Sequence, residues 1–137
     1  MPYTIYETIS SLLLNDATIA GIVSSRVFNG WRPITVKTVP CINHFETESS
    51  KGVYGTFSNC TIQMNCWAET YKEARVLNEA VVAKLNHYGG TPSGGIHINK
   101  CVYANIKNEL REIIPGTNKV LINIVTSYNV IYTADNE

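Results

Sequence analysis

Charge is scarce in this sequence. Charged residues make up 16% of the chain, against about 25% in an average globular domain, which leaves an unusual share of neutral polar surface. The 11 basic and 11 acidic residues cancel, and the pI is about 6.8. No long-range field draws in a polyanion, so sequence-specific nucleic acid is not expected as a partner. Long apolar runs are also missing, which excludes a membrane-spanning helix, and no membrane partner is expected. No basic segment followed by an apolar run stands at the start, so no signal peptide is expected and the chain reads as cytoplasmic.

Chemistry-bearing motifs are equally sparse. The four cysteines, Cys41, Cys60, Cys66 and Cys101, form no C-x-x-C pair, and zinc or dithiol readings fail on spacing. Cys60 and Cys66 fall on one strand, roughly 20 Å apart at about 3.3 Å per residue, too far for a disulfide. All four read as reduced thiols packing as small apolar groups. Cys41 and His44 are three apart on an alternating strand, hence on opposite faces, which disfavours a nucleophile pair. His87 lies near a helix C-terminus, where an imidazole complements the dipole. Glu46 and Glu48 share one side of a strand but border a Gly/Ser loop without an evident pocket. "GTPSGG" lacks the P-loop pattern. No catalytic residue, cofactor or metal is expected, and the chain reads as a non-enzyme.

What is present is a clear run of elements in a length suited to one domain, residues 1–137. Thr4 and Glu7 form a capping box, and Ile5, Ile9, Leu12 and Leu13 make one apolar helical stripe. Asp16 caps a short second helix in "ATIAGIV". Residues 25–38 read as irregular, with a turn at Asn29-Gly30 and Pro33. Val39 to Glu46 reads as a strand with Pro40 at its start. "ETESSKGVYGTF" reads as a long hairpin loop. In "SNCTIQMNCWAE", Cys60, Ile62, Met64 and Cys66 take one face; Thr61, Gln63, Asn65 and Trp67 take the other.

The stretch "QMNCWAETYKEARVLNEAVVAKL" changes period midway. Alternation holds to Trp67, and helical spacing of Ala74, Leu77, Val81 and Leu85 follows. Thr70 caps that helix with Glu73 three residues on, and Gly89-Gly90 is expected to end it in a left-handed turn. Alternation returns over 96–106, with Ile96, Ile98, Val102, Ala104 and Ile106 on one face. "LREIIPGTN" reads as a connector. Residues 119–133 read as a final strand with Val120, Ile122, Ile124, Tyr128, Val130 and Tyr132 on one face.

The order α-α-β-β-α-β-β defines an α+β domain: a four-stranded antiparallel sheet with helices packed on one face. The other face carries Thr61, Gln63, Asn65, Trp67, His97, Asn99, Tyr103 and Asn105. Such a mixture suits a solvated face or a protein interface. The candidate interface residues are Glu46, Glu48, Lys51, Tyr54 and Phe57 of the loop, together with Gln63, Asn65, Trp67, His97 and Tyr103 of the face. Tyr and Trp are common anchors of such contacts.

Several stretches resemble the tail-completion or tail-terminator proteins of tailed bacteriophages and prophages. "IYETISSLLLNDATIAGIVSSRVFNG" is similar to the family's opening, and "VPCINHFETES" to its first strand. "CTIQMNCWAETYKEARVLNEAVVAKL" is the most similar, a strand ending in Trp-Ala that runs straight into "x-T-Y-x-E-A" and the main helix. "GIHINKCVYANIKNELREII" and "KVLINIVTSYNVIY" are similar to the closing hairpin. Asn43-His44 departs from the family, whose first strand is usually apolar or aromatic there. The resemblance implies a virion structural protein: a ring, hexameric, on the head-proximal end of the tail tube, ending tube polymerisation and joining the tail to the head connector. The implied partners are further copies of the chain, the tail tube protein and the head-closure or connector protein. The alternatives are a neck or head-tail adaptor component, and a cytoplasmic small-ligand-binding α+β module.

Overall fold

The computed structural model describes residues 4–30, 39–51, 57–92, 96–114, 116 and 118–133, without the side chains of 48–51 and 106. Helix α1 spans Ile5–Leu14, α2 Ala17–Val23 and α3 Tyr71–Leu85. The strands are β1 Val27–Asn29, β2 Cys41–Lys51, β3 Ser58–Ala68, β4 Tyr88–Gly90, β5 His97–Ile113 and β6 Val120–Thr133. None of the described helices is long and apolar enough to cross a membrane.

Each helix starts where the sequence places its cap. The Thr4 hydroxyl accepts from the Glu7 N–H, and the Glu7 carboxylate accepts from the Thr4 N–H, so two otherwise orphaned donors are satisfied. Asp16 accepts from the N–H groups of Thr18 and Ile19. Thr70 accepts from the Glu73 N–H at 3.2 Å. Helix α3 stops at Leu85, ahead of the expected glycines. The left-handed residue is His87 (φ 63°), and Gly89-Gly90 belongs to β4.

The class is α+β, but the sheet is larger than four antiparallel strands. Six strands run in the order β1-β2-β3-β6-β5-β4, and β1 pairs with β2 in parallel. The four long strands are antiparallel in the order β2-β3-β6-β5. The short edges β1 and β4 were not anticipated, because three residues carry no periodicity. Residues 31–38, including Pro33, lie outside the described residues.

Two further expectations need correction. Residues 46–51 of the expected loop are strand: register pairs carry the β2–β3 hairpin out to Lys51↔Ser58, with an irregularity between Glu46 and Glu48, and 52–56 lie outside the described residues. A strand arm rich in polar Ser and Thr looks like loop to a composition argument. "LREIIPGTN" is likewise half strand, since β5 runs on to Ile113 opposite Val120.

The main core lies between the three helices and one sheet face. It gathers Ile9, Leu13 and Ile19 from α1 and α2, Leu77 and Val81 from α3, and Ile62, Met64, Ile124 and Tyr128 from the strands. A smaller cluster of Cys41, Trp67 and Leu121 forms on the opposite face, where Phe28, Val39 and Ile114 pack against it. That second layer holds down the β1 end of the sheet.

Candidate protein interface

The corner after β3 is built from both layers. Trp67 ends the outer face of β3, opposite Cys41 on β2 and Asn123 on β6. Its ring is only 7% exposed, and a buried indole N–H needs an acceptor. The Asn43 carboxamide supplies one: Nε1 donates to Oδ1 at 2.7 Å, and Asn43 Nδ2 donates on to the Gly30 carbonyl at 3.2 Å. The Gly30 N–H donates to the His44 carbonyl at 2.7 Å. Gly30 has φ +90°, a conformation that costs little without a Cβ. Trp67 thus ties the Asn29-Gly30 turn to the sheet, and Glu69-Thr70 alone separate β3 from α3.

The rest of that face is polar. Asn65 is buried and accepts from Gln63 at 3.2 Å. Thr61 donates to Asn129 at 3.2 Å. Asn123 is buried with no partner for its Oδ1, an arrangement that costs free energy within the protomer. His97 is exposed at the far end and lies 2.6 Å from the Thr91 hydroxyl. Phe57 is 45% exposed beside Ser58, and Ile131 is also exposed.

Not all the sequence candidates gather on this face. Tyr103 stands on the helix-bearing side, its ring 5.6 Å from that of Tyr128. The reason is a bulge: β5 carries one extra residue between Ile98 and Lys100, which reverses the parity of the side chains from Lys100 to Tyr103. Cys101 and Tyr103 therefore turn inward, and Val102 turns outward opposite Asn129. Glu46 also faces the helices, where its carboxylate accepts from the Tyr6 hydroxyl. Glu48 and Lys51 belong to β2 by backbone, but their side chains, like all of Tyr54, lie outside the described residues.

The sequence reading missed a polar clasp between α1 and β2. Tyr6 and Ser10, one helical turn apart, meet Glu46 and His44, which are two residues apart on a strand. These spacings put each pair on one face of its element. The bond to Glu46 and burial push the Tyr6 hydroxyl up to about 12. His44 is fully buried, 2.8 Å from the Ser10 hydroxyl through Nε2, while Nδ1 has no partner. Desolvation pushes its pKa from 6.5 down to about 4, so the imidazole is neutral near pH 7. A shallow cleft of about 420 Å³ beside the clasp is lined by residues including Tyr6, Glu7, Ser10 and Asn29.

All four cysteines are free and buried. Burial pushes Cys41, Cys60 and Cys101 up to about 12, and Cys66 is raised as well. They are thiols rather than thiolates at neutral pH, which fits packing and not nucleophilic chemistry. Among the described residues, no group of three or more His, Cys, Asp or Glu is placed to hold a metal.

No protein-family model matches the chain, and no curated protein matches it. Among solved structures, 13 chains match. One is a chain of the virion of a native gene transfer agent (GTA) particle, with a TM-score of 0.64 and 11% identity over 95% of each chain. At that identity the likeness is one of fold, and it extends over nearly the whole domain.

Proposed function

We propose that this chain is a structural protein of a phage-like virion. It forms a ring, hexameric, at the head-proximal end of the tail tube, where it ends tube polymerisation and joins the tail to the head connector. The observation that carries the proposal is the shared fold with a chain of a virion particle over 95% of both chains. The strand-to-helix corner at Trp67 and Thr70, on which the tail-terminator resemblance rests, supports the finer assignment. The role is one of binding geometry. A ring needs heterologous contacts that close by rotation, and the exposed Phe57 just before β3 offers an apolar anchor for the tube or the connector. Gln63 and His97 on the polar face, with Glu48, Lys51 and Tyr54, complete the proposed contact set.

Localisation tests the reading. Immunogold labelling of an epitope-tagged copy in purified particles should mark the junction of head and tail. Label along the whole tail, on the capsid, or absent from particles would refute the terminator assignment. Label at the junction with tails of normal length in the absence of the protein would indicate a neck component.

A further inference from the structure

The β5 strand outruns its neighbour on one side. β6 pairs with one edge of its 17 residues, with irregularities at Ile98/Lys100 and Tyr103/Lys107, while β4 reaches the other only at Tyr88↔Cys101 and Gly90↔Ile98. Among the described residues, nothing pairs with the outer edge of 107–113, "KNELREI". That edge is not blunted by proline, and it carries Leu110 at 43% and Ile113 at 70% exposure. A long open edge with exposed apolar side chains is a template for another strand.

The charge order selects the strand. In an antiparallel pairing with a second copy of 107–113 centred on Leu110, Glu109 faces the second copy's Arg111, and Arg111 faces its Glu109. Leu110 meets its own counterpart, Asn108 meets Glu112, and the aliphatic stem of Lys107 covers Ile113. Opposite charges directly across an antiparallel pair are favourable and like charges unfavourable. Glu109 and Arg111 stand opposite Ile124 and Ile122 of β6, on the helix-bearing side. There Arg75 of α3 already grips Glu109 through two bonds of 2.8 Å, which fixes the carboxylate before any partner arrives.

We infer that the free edge of β5 pairs with the same segment of a second copy of this chain, forming a two-fold dimer through a continuous sheet. The contact is isologous, unlike the head-to-tail contacts of a ring, and it stands independently of the virion reading. Its small extent makes it a weak, concentration-dependent association.

The test is sedimentation equilibrium of the full chain from about 1 µM to about 1 mM, a range suited to small interfaces. The wild type should move from monomer to dimer. Arg111→Glu sets like charges opposite each other twice and should raise the dissociation constant by about tenfold; Glu109→Arg should do the same. An equimolar mixture of the two variants restores both opposite-charge pairs and should dimerise as heterodimer. Leu110→Cys should form a symmetric interchain disulfide in mild oxidant, since the native cysteines are buried. A wild type that stays monomeric throughout overturns the inference. So does a larger ring unaffected by either variant, although that result would agree with the proposed function. Variants that fail to restore association when mixed overturn it as well.

Discussion

Lowering the pH should unlock the clasp between α1 and β2, and His44 sets the size of the effect. The unfolded imidazole takes a proton below about 6.5, whereas the buried native one resists until about 4. Between those values the unfolded state binds more protons, so stability falls as pH falls and levels off below the native pKa. A difference of that size corresponds to about 3 kcal/mol, a large fraction of the roughly 5–15 kcal/mol that holds a domain folded. The groups facing His44 are Ser10, with the Tyr6–Glu46 pair one rung away. The Tyr6–Glu46 bond is common to wild type and variant, so the comparison isolates the imidazole. Urea unfolding at pH 7.5 and pH 4 should show wild type losing about 3 kcal/mol more than His44→Gln. The variant is less stable at neutral pH; the readout is the difference in pH dependence. Equal losses in the two proteins would refute the burial argument for His44.

Trp67→Phe removes the donor to Asn43 and leaves a buried acceptor unpaired, which should cost about 1–3 kcal/mol in a denaturant melt. Paired with Asn43→Ala the two losses should be less than additive, and full additivity would mean that the bond contributes nothing. Thr70→Ala should lower stability by about 1 kcal/mol, and an unchanged midpoint would show that the hydroxyl does not cap α3. A thiol reagent at neutral pH should label the native cysteines no faster than the protein opens, and all four after denaturation; rapid labelling of any one would contradict its burial.

The helices were legible because their signals are local. Thr4 with Glu7, Asp16, and Thr70 with Glu73 announce three N-termini, and the apolar spacing behind each gives the buried face. β3 and β6 were legible for the same reason, with strict alternation over their inward residues. What sequence did not carry is register. The extra residue near Asn99 in β5 exchanges the two faces from Lys100 to Tyr103, and no local pattern marks it. The same limit hid Asn43 as the partner of Trp67, which is 24 residues away, and His44 as the partner of Ser10. The strand end at 107–113 buries little apolar surface, and the arm at 47–51 is rich in Ser, Thr and Glu. They resemble loop by composition while pairing as strand.

The central claim is that this chain ends the tail tube, and the most direct measurement is the distribution of tail lengths. Lysates of a phage or prophage lacking the gene should be imaged by electron microscopy, beside lysates complemented with the intact gene. The deletion should give tails of uncontrolled length and heads without tails, with a single tail length and joined particles restored by complementation. Intact virions with normal tail length in the deletion would contradict it.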